Sequence, residues 1–209
     1  MSKKEQFIQN GLGCLGFKSK IDLIENLYLK AITDTYARID KTYGIENEIR
    51  DRFVHDFHYK SPFLMKLIQA NIIYVNWERW VFKNEDDLGR ADLSFGISGL
   101  EFIVECKRLK NASQKYIDEG LSRFINQDYS ANETYAGMLG FVISGEIEKI
   151  SIGILRKCET EKYIQNTFTQ QKYSDLAYSL KTAHIRKDNS SINIYHLFLK
   201  FMKINNNLL

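Results

Sequence analysis

The sequence predicts an α/β fold in which helices flank a mixed central sheet. Apolar residues recur at helical spacing over residues 20–44, whereas residues 72–80 are rich in the β-branched and aromatic side chains that favour strands. Glycine and polar turn signals separate strand-like from helix-like segments along the rest of the chain. With 209 residues, of which 44% are hydrophobic, the chain has the size and composition of one domain.

Three helices are predicted before the first strand. The first covers residues 20–44, and Gly44 is typical of a helix end. The second covers residues 45–58. Pro62 favours the start of the third helix, over residues 62–70, because proline is tolerated in a first helical turn.

The remaining predicted elements alternate between strands and helices. Ser98 and Gly99 form a predicted two-residue turn, since glycine tolerates the positive φ that tight hairpins require. We expect strands over residues 72–80, 91–97 and 100–109, a helix over 116–129, a strand over 137–144, a helix over 146–163, and strands over 179–186 and 192–201. This order gives an N-terminal helical extension (1–44), a core of order αβββαβ (45–145), and a C-terminal helix with a β-hairpin (146–209).

Composition argues against several classes of protein. Cys14, Cys106 and Cys158 form no CxxC pair, so neither structural zinc nor a disulfide framework is expected. No apolar run approaches the ~20 residues of a membrane helix, and the first residues lack a signal-peptide pattern, so a cytoplasmic protein is expected. Residues 11–16 match GxGxxG, but no strand precedes them, and a nucleotide cofactor is not expected. The net charge of +3 neither indicates nor excludes a nucleic-acid partner.

Two predicted strands bring a pair of carboxylates together. If Ser98 and Gly99 form the turn, Asp92 lies opposite Glu105, and Lys107 shares their face of the sheet. Opposed carboxylates with Cβ atoms ~5 Å apart destabilise a sheet, and a divalent cation removes the repulsion, because Mg²⁺ prefers carboxylate and water oxygens. With Lys107 holding a phosphate oxygen or positioning the attacking water, the set predicts metal-dependent phosphodiester hydrolysis. The alternative is a solvated strand end at Asp92 and an exposed Glu105–Lys107 salt bridge.

A third carboxylate falls on the apolar stripe of the predicted helix 45–58. Glu46 lies within this stripe, whereas Glu48 points away from it. A buried unpaired charge is costly, so Glu46 is predicted to support the metal held by Asp92 and Glu105. The alternative is that Glu46 only interacts with the dipole of the first helical turn.

A basic strip follows the predicted site along the chain. Arg108, Lys110 and Lys115 are assigned to nucleic-acid phosphates, which would make binding depend on salt. Gln127 is assigned to the same surface or to the neighbourhood of Lys107. The alternatives are a solvated strand end for the basic residues and an ordinary exposed helix amide for Gln127.

The flanking strands carry further aromatic and basic residues. Trp77, Trp80 and Phe82 are expected in the core. Three residues of the last two strands are expected to be structural, with a phosphate-binding edge as the alternative: His184, Arg186 and His196.

The proposed site resembles the signature of the PD-(D/E)XK nuclease superfamily, which has the restriction-endonuclease-like fold. That signature is an Asp, a variable gap, and Glu-x-Lys on the neighbouring strand. Here Asp92 is followed, after twelve residues, by Glu105, Cys106 and Lys107. Ala91 replaces the proline that precedes the Asp in the family, and that proline has no chemical role.

The resemblance extends to the neighbouring helices. Glu46 matches a Glu that the family often adds from the preceding helix, and residues 124–129 resemble its Gln-and-Tyr element. The resemblance implies a nuclease that uses Mg²⁺, with Mn²⁺ as a substitute, and acts on DNA, with RNA not excluded. It further implies an endonuclease of a restriction or host-defence type, and it is compatible with a homodimer.

Two other interpretations remain open from the sequence. The first is a catalytically inactive relative that binds nucleic acid or another protein, against which the full set of Asp92, Glu105 and Lys107 argues. The second is a structural or inhibitory partner protein whose carboxylates are surface charges. The second predicts no binding of divalent ions.

Overall fold

A mixed sheet lies at the centre of the computed structural model, which describes residues 3–42, 44–82, 88–97, 99–160 and 178–202. In these ranges its six strands are β1 (Tyr74–Phe82), β2 (Leu88–Ile97), β3 (Leu100–Leu109), β4 (Tyr135–Val142), β5 (Tyr178–Ile185) and β6 (Ser191–Lys200). They lie in the order β1-β2-β3-β4-β6-β5. Strands β1 to β3 are antiparallel, β4 is parallel to both β3 and β6, and β5 is antiparallel to β6. The mixed α/β fold expected from the sequence is confirmed.

Helices flank the sheet. They are α1 (Lys3–Cys14), α2 (Lys20–Leu23), a π-helical stretch (Ile24–Leu29), α3 (Lys30–Arg38), α4 (Glu46–Tyr59), α5 (Leu64–Gln69), a second π-helical stretch (Ile117–Leu121), α6 (Ser122–Ile125) and α7 (Ile147–Thr160). None of the helices in the described ranges is both long enough and apolar enough to cross a membrane.

Two hydrophobic cores lie on opposite faces of the sheet. The N-terminal helices cover one face, where Phe53 of α4 stacks on Phe141 of β4. Helices α6 and α7 cover the other face, where Tyr116 stacks on Phe198 of β6. Burial of these large rings fixes both helical layers against the sheet. Strand β3 therefore lies between α4 on one side and α6 on the other.

The β2–β3 hairpin has the register that the predicted turn requires. Its ladder begins with the pair Ile97–Leu100 and continues to the pair Leu93–Val104. Both strands extend beyond this last pair, but the ladder does not. Strand β2 therefore separates from β3 at Asp92, the next residue along.

Most predicted elements are found, with shifted ends. Strand β3 has the predicted bounds, whereas the helix predicted over residues 116–129 ends at Ile125. Helix α1 is not predicted by the sequence, because Gly11 and Gly13 lower its helix propensity. Three parts of the predicted elements lie outside the described residues, namely Tyr43 of the helix predicted over 20–44, the turn residue Ser98, and residues 161–163 of the helix predicted over 146–163.

The two tryptophans of β1 are exposed, so the expectation that they lie in the core is wrong. The exposed fractions are 49% for Trp77 and 63% for Trp80. The physical reason is that β1 forms an edge of the sheet, which leaves its outer positions uncovered. The ring of Trp77 packs edge-on against that of His58. The side chain of Phe82 lies outside the described residues.

Candidate active site

The separation of β2 from β3 exposes an edge of β3 that two carboxylates fill. The backbone N–H of Cys106 donates to Asp92 Oδ2 at 2.8 Å, and that of Arg108 donates to Glu46 Oε2 at 2.6 Å. Backbone N–H groups two residues apart point to the same edge of a strand. Asp92 and Glu46 therefore lie side by side along this edge and replace the acceptors that β2 no longer supplies.

Glu105 is a buried carboxylate whose two oxygens have different surroundings. Its side chain is 1% exposed. Oε1 accepts hydrogen bonds from Lys107 Nζ at 2.7 Å and from Arg123 Nη1 at 2.6 Å. Oε2 is buried too, but it accepts no hydrogen bond from any residue that the structure describes. Because an unpaired buried carboxylate oxygen is costly, Oε2 fits a ligand from outside the chain.

The pKa of Glu105 reflects this burial. Burial raises the pKa of Glu105 to about 7, and the negative charge of Asp92 adds to the rise. The positive charges of Lys107 and Arg123 favour the ionised form, but they do not offset burial. A cation beside Oε2 would favour the ionised carboxylate further.

Lys107 is surrounded by acidic groups. Burial alone would lower the pKa of Lys107, but the carboxylates of Glu105, Asp92 and Glu46 outweigh burial, and the pKa is raised. Lys107 therefore carries a positive charge at neutral pH. Burial raises the pKa of Glu46, and the charge of Lys107 and the N–H of Arg108 act against the rise.

Glu46, and not Glu48, is the carboxylate of α4 that reaches this site. Glu48 Oε2 accepts a hydrogen bond from the backbone N–H of Ile45 at 3.1 Å, so it caps the first turn of α4. Glu46 interacts electrostatically with Lys107 and Asp92. The structure thus brings together the four residues that the sequence assigns to catalysis.

Arg50 is a site residue that the sequence analysis misses. Its side chain is 3% exposed and donates to Asp51 at 2.7 Å and to Glu78 at 3.1 Å. Its Nη1 lies 3.8 Å from Asp92 Oδ1. Residues four apart on a helix share a face, so Glu46 and Arg50 approach Asp92 together. That spacing is the sequence signal that could have identified Arg50.

Glu78 has an unusual backbone conformation. Its φ is +51°, in the left-handed region that non-glycine residues seldom adopt. The ladder between β1 and β2 is interrupted at this residue, which occupies the position opposite Asp92. The carboxylate lies 3.1 Å from Arg50 and 3.6 Å from Arg90. An interrupted ladder re-aims a side chain, and here Glu78 meets the arginine that contacts Asp92.

Arg123 and Tyr129 complete the site from the opposite helical layer. The guanidinium of Arg123 lies 5.4 Å from the ring centroid of Tyr129. The Tyr129 hydroxyl accepts a hydrogen bond from Arg123 at 3.1 Å and donates one to the backbone carbonyl of Arg90 at 2.6 Å. Burial raises the pKa of Tyr129 to about 12, so this hydroxyl stays protonated. The contacts tie α6 to β2 near Asp92 and hold Arg123 against Glu105.

A buried arginine fixes the loop that follows α6. Arg186 is 3% exposed, and its guanidinium bonds only to backbone carbonyls among the described residues. The loop contains two residues of positive φ, Gln127 and Ser130, and Gln127 lies just after the end of α6 at Ile125. The carbonyls that Arg186 binds are those of Phe124, Ser130, Ala131 and Glu133.

The two histidines of the last strands are structural as well. Both His184 and His196 are buried, and Thr182 Oγ1 lies 2.7 Å from a ring nitrogen of His184 and 2.8 Å from one of His196. The second ring nitrogen of His196 lies 2.9 Å from the hydroxyl of Tyr116. Together with the burial of Arg186, these contacts contradict the alternative of an exposed phosphate-binding edge.

The basic residues assigned to nucleic-acid contact lie on the surface of the protein. Arg108, Lys110 and Lys115 are all exposed. The guanidinium of Arg108 donates to the backbone carbonyl of Gly44 at 3.1 Å, and Lys115 lies 3.7 Å from Glu119. All three lie beyond Lys107 in the chain and leave part of their basic surface to solvent.

Gln127 lies apart from the other predicted residues. Its amide donates to Asp188, in the turn between β5 and β6, at 2.7 Å. The structure therefore does not bring Gln127 to the neighbourhood of Lys107. Of the segment that resembles a Gln-and-Tyr element, Tyr129 reaches the site.

The acidic residues fit a magnesium ion held by two protein ligands. Among the residues described, no group of three or more His, Cys, Asp or Glu side chains is placed to hold a metal ion, so Glu46 does not join Asp92 and Glu105 in a three-ligand cluster. Mg²⁺ is commonly bound by one or two carboxylates, and waters and substrate phosphates complete its octahedral shell. Asp92 and the unpaired Oε2 of Glu105 supply such a pair.

The fold and the site define a mixed α/β protein with a buried cluster of carboxylates and cations where a hairpin opens. Comparisons of the chain with protein-family models, with curated proteins and with solved structures found no match. The geometry of the cluster is therefore the basis for assigning a function.

Proposed function

We propose that this chain is a Mg²⁺-dependent nuclease of the PD-(D/E)XK superfamily that hydrolyses phosphodiester bonds in DNA. The observation that carries the proposal is the state of Glu105. One of its oxygens is bound by Lys107 and Arg123, and the other is buried without a partner among the described residues. A site with one carboxylate oxygen left for a cation, an Asp alongside and a lysine two residues on suits metal-assisted phosphodiester hydrolysis.

The order of the elements supports a restriction-endonuclease-like core. Helix α4, the β1–β3 meander, α6 and β4 occur in the order αβββαβ, with the short helix α5 between α4 and β1, and β4 pairs in parallel with β3. Asp92 and Glu105 lie where the middle two strands of this core diverge. This is the arrangement that the resemblance in the sequence implies.

Each acidic or basic group has a distinct role in the proposed reaction. Asp92 and Glu105 would hold Mg²⁺, with Mn²⁺ as a substitute, and the bound ion supplies Lewis-acid stabilisation and a water of lowered pKa. Lys107 donates a hydrogen bond to a phosphate oxygen or orients the attacking water. Glu46 supports the metal ligands by holding Arg108 and the edge of β3 in place.

Exposed basic side chains support a nucleic-acid substrate. Three exposed basic residues follow Lys107 in the sequence, namely Arg108, Lys110 and Lys115. Contacts of this kind bind phosphates without regard to base sequence, and their strength falls as salt concentration rises. DNA is the proposed substrate.

A nicking assay tests the proposal. Wild-type protein should cut plasmid DNA with Mg²⁺ and not with EDTA, and Glu105→Gln should abolish cutting. Glu101→Gln is the matched control, because Glu101 lies on β3 and on the same face of the strand as Glu105. This variant should retain cutting. Parallel reactions with linear duplex, single-stranded DNA and RNA identify the substrate. Cleavage by Glu105→Gln at the wild-type rate would contradict the mechanism.

A second candidate function is nucleic-acid binding without cleavage. It is favoured by the cationic neighbours of the two acids, since Glu105 bonds to Lys107 and Arg123, and Arg50 lies 3.8 Å from Asp92. This function predicts binding that EDTA leaves unchanged, with no cut product. Fluorescence anisotropy beside the nicking assay separates the two functions.

A further inference from the structure

Two cations share a single oxygen of Glu105, and the proposed reaction uses only one of them. Lys107 and Arg123 both donate to Oε1, from 2.7 Å and 2.6 Å. Lys107 also interacts with the carboxylates of Asp92 and Glu46, whereas Arg123 reaches Glu105 from the opposite helical layer. Arg123 is therefore the cation whose remaining donors can bind another anion at the same place.

Most of the donors on Arg123 bind no group in the described part of the chain. Both of its hydrogen bonds to the described residues, to Glu105 and to Tyr129, start from Nη1. An arginine has five N–H donors in a planar fork, so Nε and Nη2 keep theirs. The side chain is 33% exposed, whereas that of Glu105 is 1% exposed. Arg123 thus connects the buried carboxylate with the surface from which a substrate would approach.

The guanidinium is also held in place before any substrate binds. The Tyr129 ring lies beside it at 5.4 Å, and the Tyr129 hydroxyl is anchored on Arg90. Arg186 fixes the loop that carries Tyr129 through four backbone carbonyls. A donor that is already ordered loses little conformational entropy when it binds an anion.

We infer that Arg123 is a catalytic residue that binds a non-bridging oxygen of the scissile phosphodiester through Nε and Nη2. The inference rests on the proposed function and adds a second phosphate-binding cation to the same site. The planar fork of arginine matches the geometry of a phosphate, and a preorganised donor stabilises the charge that develops on its oxygens. A phosphate held beside Glu105 lies within reach of both Lys107 and Arg123.

Single-turnover cleavage by Arg123 variants tests the inference. Arg123→Ala should lower the rate by about 100- to 1,000-fold, as expected for loss of one preorganised donor. Millimolar guanidinium, far below denaturing concentrations, should restore at least about a tenth of the lost rate, because it supplies the missing fork. Arg123→Lys keeps a positive charge beside Glu105 but lacks the planar fork. Its cleavage rate should lie between those of the wild type and Arg123→Ala.

A matched arginine controls for general effects of guanidinium. Arg79 is exposed and pairs with Glu101, so Arg79→Ala should cleave at the wild-type rate with and without guanidinium. Cleavage by Arg123→Ala within about threefold of the wild type overturns the inference alone. A large loss that guanidinium does not restore, with a lowered melting temperature, assigns Arg123 a structural role and also overturns it. A wild-type protein that cleaves no substrate overturns the proposed function and the inference together.

Discussion

The backbone N–H of Cys106 donates to Asp92 Oδ2 at 2.8 Å, at the point where β2 leaves β3. Asp92 therefore serves as a substitute for a missing ladder acceptor, in addition to its proposed role as a metal ligand. The first role needs only an oxygen atom, whereas the second needs a negative charge. Substitutions can separate the two roles.

Asp92→Asn should keep the fold and lose the activity. The amide oxygen can still accept from Cys106, so we expect the free energy of unfolding to change by less than about 1 kcal/mol. Without the charge, metal-dependent cleavage should fall by at least about 100-fold, which corresponds to about 3 kcal/mol. Chemical denaturation and the nicking assay measure the two effects. Asp92→Ala is the companion variant, and it should lose stability as well, because Cys106 is left without its acceptor.

The hairpin that carries the site is predictable from the sequence because a two-residue turn fixes the register of both strands. Once the turn is placed at Gly99, whose φ is +81°, the register puts Asp92 at the position opposite Glu105, although the ladder ends one pair earlier, at Leu93–Val104. Glu46 is predictable from helical periodicity alone, since it lies on the buried stripe of α4. Local rules therefore identify Lys107 and the three carboxylates that the sequence analysis assigns to the metal.

The contacts made by the two arginines of the site are not predictable in this way, although the four-residue spacing from Glu46 places Arg50 on the same helix face. Arg123 contacts Glu105 across eighteen residues of sequence, and the contact depends on how α6 packs on the sheet. Arg50 meets Asp92 only because α4 lies against the open hairpin. The same limit applies to Trp77 and Trp80, since a strand pattern does not show which strand lies at the edge of the sheet.

Binding of Mg²⁺ should depend on the ionisation of Glu105. Its pKa of about 7 in the folded chain lies above the usual value of 4.5 for a glutamate, so the metal-free folded state binds more protons than the unfolded chain between these values. Stability from this group is present below pH 4.5 and is lost as the pH rises through 7, by about 3 kcal/mol in all. Mg²⁺ has to displace that proton, so the rise in melting temperature on adding Mg²⁺ should be small at about pH 5.5 and largest above about pH 7.

Thermal melts with Mg²⁺ or EDTA across this pH range measure the effect of Glu105. Glu105→Gln should show no Mg²⁺-dependent rise at any pH, and Glu101→Gln should follow the wild type. A Mg²⁺ effect of equal size at acid and at alkaline pH would show that Glu105 is not a ligand.

His196 should give a pH dependence of the opposite sign. Burial lowers the pKa of His196 from 6.5 to about 3, so the folded state binds fewer protons than the unfolded chain between these values. Its contribution to stability is therefore present above pH 6.5 and is lost as the pH falls, by about 2 kcal/mol at about pH 5. Urea denaturation of metal-free protein at several pH values measures the loss.

Because Glu105 and His196 act in opposite directions over the same range, each effect has to be taken as a difference between variant and wild type. His196→Gln keeps polar atoms between Tyr116 and Thr182 but does not titrate, so its stability should fall less steeply as the pH decreases. An unchanged slope would mean that His196 has the same pKa in the folded and the unfolded chain, so that its burial does not lower the pKa.

Arg50 should control the orientation of Asp92. Its guanidinium contacts Glu78 and approaches Asp92 to 3.8 Å, and its side chain is 3% exposed. Arg50→Lys keeps a positive charge, but an ammonium cannot span both carboxylates, so we expect cleavage and Mg²⁺ affinity to fall by about 10- to 100-fold. Arg52→Lys is the control on the same helix, because Arg52 donates only to backbone carbonyls of Asp40 and Thr42 among the described residues. Calorimetric titration of Mg²⁺ and single-turnover cleavage measure both quantities, and equal losses in the two variants would assign the effect to α4 as a whole rather than to the contact with Asp92.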